Sequence, residues 1–459
     1  MATTTEAGRG ELTHPDIQSF DQVNDDVLEV LGRPGKTWWL LFGLATAGVG
    51  VFLFCWIYQI VFGIGVSGLN SPIGWGAYIT TFVFWVGIAH SGTLVSAVLF
   101  LFRAKWRQSI YRAAEATTVF AVMTAGLFPL IHLGRVWHAY WLFPYPNENL
   151  LWPNFQSALV WDVFAVTTYF MVSASFFFLG SIPDLAAARD KARGVWKKFY
   201  QFTSLGWRGT DREWHHFGKA YLYLAALATP LVLSVHSVVS WDFAMGIVPG
   251  WHATIFAPYF VAGAIFSGMA LVVTISVIMR KVFSLEGYLT PRHFDAMAKL
   301  LLVTGLIVFY AYLTEFFMAW YSAEDPERRV FWERVFGHYW WATWIMLVCN
   351  GLIPVLLWFK RVRHSIAAMF VISLFINIGM WFERFVIVVT SLSREFMPFA
   401  WSEYRPSLIE MGIVLGSFAW FGFWFLIFLR VLPPVAIQEL KEVLPPSMRK
   451  RKQQQEASS

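Results

Sequence analysis

Two histidines and an arginine lie close together in the segment HLGRVWHAYW, residues 132–141, near the end of a long apolar stretch. They are His132, Arg135 and His138, and on a single α-helix their side chains would cover a stripe about 120° wide. Ionisable side chains are expensive inside a bilayer, so each one there marks a candidate functional site. The spacing predicts that all three side chains face one cavity.

Two carboxylates are expected at a depth similar to that of His138. Asp162, in LVWDVF, comes soon after the start of one apolar stretch, and Asp242, in SVVSWDFA, ends another. A short connection favours neighbouring helices, so these groups are predicted to converge. A histidine beside carboxylates in apolar surroundings can accept and pass on protons, which the oxidation of a quinol requires. The predicted quinol-binding set is His138, Asp162 and Asp242, with His132, Arg135 and His236 in supporting positions.

Each of these residues also has a purely structural interpretation. Arg135 could pair with Asp162 or with a backbone carbonyl, His236 could be a satisfied core histidine, and Asp242 could be a helix-end residue exposed to water. Four further ionisable residues lie within apolar stretches and could relay protons or form buried pairs that fix helix packing, a role favoured for the adjacent Glu383 and Arg384. The possible proton route comprises His90, Glu315, Glu383 and Arg384.

The amino-acid composition indicates that these residues lie on membrane helices. The chain has 459 residues, 57% of them hydrophobic and 14% charged, with 25 tryptophans. These proportions are typical of an integral membrane protein. The net charge of +6 is explained by basic cytoplasmic loops and does not require nucleic acid as a partner. With Cys55 and Cys349 as the only cysteines, the chain cannot itself hold a thiolate-bound iron–sulfur cluster, a structural zinc or an attached c-type haem, and no metal site is predicted.

A membrane-spanning helix needs about 20 apolar residues, and on that criterion the sequence contains ten. The predicted fold class is therefore an all-α integral membrane protein. The predicted spans are 38–64, 74–102, 117–142, 156–182, 219–241, 253–279, 297–321, 338–359, 365–390 and 408–432.

The charges of the connections alternate along the chain. Segments 103–115, 183–218, 280–296 and 360–364 are basic, whereas 65–73, 143–155 and 242–252 contain no Lys or Arg. Because basic loops stay in the cytoplasm, both termini are predicted to be cytoplasmic, in agreement with the basic MRKRK in the C-terminal tail. The predicted tails are 1–37 and 433–459.

A weak internal similarity suggests two parallel four-helix bundles. The segment YLTEFFMAWY, residues 312–321, aligns without gaps with HLGRVWHAYW and places Met318 opposite His138. The second copy lacks the outer histidine, so the chemistry is assigned to the first bundle. The predicted units are a first bundle at 74–241, a second bundle at 253–390, and flanking helices at 38–64 and 408–432.

The ten-span layout, HLGRVWH, the WD that opens the fourth span and the SVVSWD that closes the fifth resemble the membrane subunits of the polysulfide-reductase (NrfD-like) family. Within that family the chain is most similar to the quinol-active membrane subunit of bacterial alternative complex III, and FDQVNDDVLEVLGRPGKTWW before the first span extends the likeness. The resemblance implies a protein of the bacterial inner membrane without a cofactor of its own. It also implies menaquinol oxidation at His138, Asp162 and Asp242.

By the same resemblance, electrons leave to an outer iron–sulfur subunit and to c-type haem subunits, beside a second, related ten-span subunit, lipids and quinone. That related ten-span subunit is the main rival identity for this chain, with ion or proton translocation and no quinol chemistry. The sequence is also compatible with a transporter, for which Pro129 and Pro230 could break helices, and with a membrane anchor without chemistry. A b-type cytochrome using His90, His132 or His236 as haem ligands is the last rival interpretation.

Overall fold

The computed structural model describes residues 20–29, 31–32, 34–143 and 157–443. The predicted basic segment MRKRK, most of the connection 143–155 and most of the N-terminal tail lie outside the described residues. Ten helices in the described part of the chain are long and apolar enough to cross a membrane, which confirms the predicted all-α, multi-pass fold class. In chain order the membrane helices are Lys36–Phe62, Ala77–Leu101, Tyr111–His132, Ala158–Lys191, Asp211–Ala244, Phe256–Val282, Pro291–Tyr321, Trp340–Trp358, Ile366–Thr390 and Leu408–Val431.

The helices pack as two rings of four with a flanking pair. The second to fifth membrane helices form one ring, called here the first bundle, and the sixth to ninth form another, the second bundle. The second and sixth helices join the two bundles. The first and tenth helices pair with each other, and the tenth also contacts the second and third. The second helix is therefore almost wholly buried, whereas the first exposes most of its apolar surface, as expected beside lipid.

Small residues bring the flanking pair into close contact. A Cβ atom on Gly48 would lie 2.4 Å from Cβ of Ala419, and one on Gly416 would lie 2.5 Å from Cβ of Phe52. Small residues at such crossings let backbones approach, which is how helices gain packing energy in a bilayer where the hydrophobic effect gives none.

Several short helices complete the structure at the membrane surfaces. The loops 103–115, 183–218, 280–296 and 360–364 lie at one end of the molecule, called here the basic side, and the other end is the opposite side. The basic side also carries the helices Phe20–Glu29 and Ile437–Val443, which pack against each other. The short helices outside the membrane helices in the described part of the chain are Phe20–Glu29, Ile64–Val66, Lys105–Ser109, Val136–Leu142, Gly194–Thr203, Asp325–Phe336, Lys360–Arg363, Pro398–Ala400 and Ile437–Val443.

The structure differs from the predicted spans most clearly in the third helix. The α-helix begins at Tyr111, inside the expected basic loop, and ends at His132, ten residues before the predicted end at 142. The fourth and fifth helices extend past their predicted basic-side ends, to Lys191 and from Asp211. Charged residues end an apolar span but continue a helix well, so hydropathy alone makes both helices too short at the basic side.

Candidate functional site

The third membrane helix ends abruptly beside the predicted site. Gly134 has φ +74°, a left-handed conformation that residues with a Cβ rarely adopt. Arg135 is extended, and the chain then forms a 3₁₀ helix over Val136–Leu142. His132 and His138 therefore lie on two different elements, and the expected stripe of three residues on one helix face is not formed.

The two predicted carboxylates meet. Asp162 near the start of the fourth helix and Asp242 near the end of the fifth lie close enough for their carboxyl groups to interact. The preceding residues, Trp161 and Trp241, also meet, with ring centroids 5.8 Å apart at 81°. Asp162 is 6% exposed. Two carboxyl groups can hydrogen bond only when one of them carries a proton, so the pair is suited to hold and release one proton.

His138 lies in the 3₁₀ helix, which packs against the fourth helix. Its ring stacks on Trp141 with centroids 4.3 Å apart. Its Nδ1 is buried without a hydrogen-bond partner among the described residues, and so are Oδ1 of Asp162 and Oδ1 of Asp242. Unpaired buried polar atoms are costly, so three of them at the same end of one bundle point to a polar ligand that pairs with them.

Arg135 lies apart from this set. Its side chain is exposed, its guanidinium carbon lies 5.8 Å from the centre of the Trp137 ring, and no described residue forms an ion pair with it. The Arg135–Asp162 ion pair, one of the structural interpretations of Arg135, is therefore not present. His132, half-buried, has an Nδ1 without a partner in the described part of the chain.

His90 and His236 form a separate contact deeper in the first bundle. Their ring centroids are 4.7 Å apart, both residues are fully buried, and His90 Nδ1 is 2.6 Å from the Val86 carbonyl oxygen. Neither ring nitrogen of His236 has a partner among the described residues, so it is not a satisfied core histidine. Rings in contact with each other leave no space for a haem plane between them, so this pair does not suit bis-histidine ligation.

The second bundle holds a paired polar cluster. Arg384 Nη1 lies 2.7 Å from Glu383 Oε1, and both side chains are fully buried. Tyr312 donates a hydrogen bond to the second oxygen of Glu383, and Asn350 donates to the Tyr312 hydroxyl at 2.9 Å. The Arg384 guanidinium also lies 4.2 Å from the centre of the Phe260 ring. Tyr312 and Asn350 carry no charge and were not predicted as site residues.

Glu315 is the open member of the second bundle. Its Oε1 is buried without a partner among the described residues, and it interacts electrostatically with Arg334 on the surface helix Asp325–Phe336. Arg334 donates to Thr390, Ser391 and the Gly250 carbonyl. Burial lowers the pKa of the Arg334 guanidinium. These contacts hold Arg334 at the opposite-side end of the ninth helix.

Comparison with known proteins places the chain in a family. A family model described as polysulphide reductase, NrfD, matches residues 65–394, more than two thirds of the chain. The chain belongs to the NrfD polysulphide-reductase family.

Curated relatives of this NrfD-family chain cover most of its length. It is 25% identical over 425 residues to a putative dimethyl sulfoxide reductase membrane subunit of Halobacterium salinarum, spanning 85% of this chain and 89% of the relative. It is 24% identical over 382 residues to a selenate reductase subunit of Mesobacillus selenatarsenatis, spanning 77% and 84%. It is 20% identical over 387 residues to the integral membrane subunit of a menaquinone reductase of Nitratidesulfovibrio vulgaris, spanning 82% and 86%. All three relatives are named as subunits of reductases, and two of them as membrane subunits.

The NrfD-family chain also has an ionisable cluster on the basic side that was not predicted from the sequence. Arg112 donates to Asp184 at 2.8 Å and lies 3.3 Å from Glu115, and all three are buried. Arg107 pairs with Glu439 of the helix Ile437–Val443 at 3.4 Å. The cluster lines a cavity of about 230 Å³. The signal was present as Arg and Glu three residues apart, but residues 103–115 were interpreted as a solvated loop.

Proposed function

We propose that this chain is the quinol-oxidising membrane subunit of a respiratory quinol:electron-acceptor oxidoreductase of the alternative complex III type. The observation that carries the proposal is that Asp162 and Asp242 lie close together at the end of the first bundle where the 3₁₀ helix of His138 packs, and that each of the three residues has a buried polar atom that lacks a partner among the described residues. A quinol is a lipid-soluble ligand that brings two hydroxyl donors to such acceptors. Membership of a family of reductase membrane subunits supports the same assignment.

In the proposed reaction, this chain accepts the protons of the quinol and its partners accept the electrons. Oxidation converts one quinol into one quinone and releases two protons and two electrons. His138 Nδ1 accepts one proton and the Asp162–Asp242 pair accepts the other, because acceptors within hydrogen-bond reach of the hydroxyls assist proton transfer. The electrons leave one at a time to carriers in a partner protein docked on the opposite side.

The name of the Nitratidesulfovibrio vulgaris relative supports menaquinol as the quinol. The proposed location is the bacterial inner membrane, with the basic side and both termini in the cytoplasm, following the charge of the loops. The opposite side then faces outward, towards an iron–sulfur subunit, c-type haem subunits and a second, related ten-helix membrane subunit. No nucleic acid partner and no cofactor bound by this chain are part of the proposal.

The test is the quinol:acceptor activity of the purified complex carrying His138→Leu. We expect turnover to fall by about 100-fold or more, the contribution typical of a positioned proton acceptor. His338→Leu, at a half-exposed histidine on the opposite side of the second bundle, is the matched control and should leave turnover unchanged. Normal turnover in an assembled His138→Leu complex would refute the proposal and favour a membrane anchor or a transporter.

Proton translocation is a second proposed activity, supported by a chain of polar groups between the two bundles. His236 and Arg384 both contact the Phe260 ring, at 5.7 Å and 4.2 Å from its centre. From Arg384 the polar groups continue through Glu383 towards Glu315, with His90 at the other end. In vesicles, a proton yield above two per quinol oxidised would support translocation. A yield of two would refute it.

A transporter function finds less support in the helices themselves. Pro230 lies inside a fifth helix that is continuous over Asp211–Ala244, and Pro129 lies within the third helix before its end. Gly126, three residues before Pro129, interrupts the third helix for a single residue with φ −60° and ψ −16°, so neither proline unwinds its helix as a transported-ion site typically requires.

A further inference from the structure

The broken end of the third helix is held by a side chain of the flanking first helix. Gln59 is fully buried, although it lies near the end of an otherwise apolar helix that exposes most of its surface. Its Nε2 donates to the Ile131 carbonyl oxygen at 2.7 Å. Its Oε1 accepts from the Tyr78 hydroxyl at 2.5 Å. Both ends of the amide are therefore paired, between the first, second and third membrane helices.

The Ile131 carbonyl is part of the turn that ends the helix. The same oxygen accepts from the Gly134 backbone N–H at 3.0 Å. The last carbonyls of a helix have no partner within it, so an external donor stabilises the ending. Gln59 supplies this donor one residue before His132 and seven residues before His138.

A second contact fixes the same turn from the same flanking helix. Gly134 packs so closely against Ile64, two residues past the end of the first helix, that a Cβ atom on it would lie 3.0 Å from Ile64 Cβ and 3.2 Å from Ile64 N. The turn therefore packs against Ile64 and accepts a hydrogen bond from Gln59. The segment that follows carries His138 towards the fourth helix.

From these contacts we infer that Gln59 is a positioning residue for His138. It acts through the Ile131 carbonyl and the Gly134 turn, and not by contact with the substrate. The expected effect of Gln59 on turnover rests on the proposed function. Its expected effect on the position of His138 does not. The flanking first helix would then help to position the quinol site as well as span the membrane.

The experiment compares Gln59→Leu with Thr46→Val in the purified complex. Thr46 is an exposed polar residue on the same helix, and its hydroxyl bonds only within that helix, to the Phe42 carbonyl at 2.7 Å. We expect Gln59→Leu to lower kcat about tenfold with KM within twofold, since a small misplacement of a reacting group chiefly affects the chemical step. Thr46→Val should change neither.

A conservative variant adds a pH-dependent readout that a purely structural role would not produce. In Gln59→Glu the carboxyl can donate to the Ile131 carbonyl only when protonated, while it still accepts from Tyr78. We therefore expect its turnover, relative to that of the unchanged complex, to rise as pH falls. A ratio that stays constant with pH would overturn the inference.

A chemical readout separates this inference from the proposed function. Carbethoxylation of His138 by diethyl pyrocarbonate, followed by mass spectrometry with His338 as internal reference, reports the setting of His138 without any quinol. We expect Gln59→Leu to change the rate at His138 by threefold or more and Tyr78→Phe to change it less. An unchanged rate at His138 overturns the positioning role, whereas normal turnover in His138→Leu overturns the quinol proposal alone.

Discussion

The Glu383 cluster of the second bundle and the set of His138, Asp162 and Asp242 in the first bundle differ in how their buried polar atoms are paired. In the second bundle, Glu383 has a cation and a tyrosine as partners, and Tyr312 has an asparagine. At the opposite-side end of the first bundle, polar atoms of His138, Asp162 and Asp242 lack partners among the described residues. A buried group that is paired within the protein stabilises packing, whereas an unpaired one is retained where a ligand supplies the partner. This difference supports a structural role for the Glu383 cluster and the proposed chemical role for His138, Asp162 and Asp242.

The largest expected effect is a loss of stability when the partner of a buried charge is removed. Arg384→Leu leaves the Glu383 carboxylate buried beside an apolar side chain, which should destabilise the fold by about 3 to 5 kcal/mol. The measurement is the thermal stability of the detergent-solubilised protein, read by size-exclusion chromatography after heating.

The double variant Glu383→Gln, Arg384→Leu is the control for Arg384→Leu. It removes both charges and should recover most of the lost stability, because no unpaired charge remains. If the single variant were as stable as the unchanged protein, the view of this pair as structural would be wrong, and its role in a proton route would gain weight.

The next effect concerns the carboxyl pair of the first bundle. Asp162→Asn should lower quinol oxidation by about 100-fold, or about 2.7 kcal/mol in activation free energy, with little change in stability. Adding Asp242→Asn should cost little more, since the two carboxyls act as one unit and their effects do not add. Turnover of the purified complex measures both.

Asp190→Asn is the matched control for Asp162→Asn. Asp190 lies at the basic-side end of the same helix and forms an exposed ion pair with Arg189. It should leave turnover unchanged. Fully additive losses in the Asp162, Asp242 double variant would show that the two carboxyls work independently and would weaken the contrast between the bundles.

A smaller effect is expected at the turn before His138. Gly134→Ala forces a Cβ into a left-handed backbone at φ +74° and against Ile64, at a conformational cost of about 1 to 2 kcal/mol. Turnover should fall while heat stability drops only modestly. Gly126→Ala is the control, because Gly126 has φ −60° and a Cβ there would meet nothing closer than 3.5 Å. Equal turnover in the two variants would show that the turn does not set the position of His138.

The fold could be predicted from the sequence because apolar length and loop charge are local properties. The break at Gly134 could not be located that way, because the apolar pattern continues through Leu142. A glycine two residues after His132 was nevertheless a recognisable signal for a helix end. The meeting of Asp162 and Asp242 was predictable from depth and from the adjacency of consecutive helices.

Further parts of the site depend on tertiary packing and left weaker traces in the sequence. Gln59 was visible as a lone amide within an apolar helix, but its partners on the second and third helices depend on how the flanking pair docks. Glu115 was assigned to a loop because the boundary of the third helix was placed too late. The direction of Arg135 depends on the break itself, since on a continuous helix it would face the same way as its neighbours.

The smallest effect is expected at Arg135, which the sequence pattern assigns to the pocket and the structure places on the surface. Its side chain is exposed beside the Trp137 ring, an arrangement that contributes about 0.5 to 1 kcal/mol at exposed sites. Arg135→Ala should therefore change quinol turnover less than about threefold at saturating quinol, with His138→Leu in the same assay as the large-effect reference. A tenfold or greater loss of turnover would mean that Arg135 turns inward when quinol binds. The unpaired groups of the first bundle would then gain a cation through movement of the 3₁₀ helix. A loss confined to the rate at low acceptor concentration would instead place Arg135 at the docking surface of the electron-accepting partner, which its exposure on the opposite side allows.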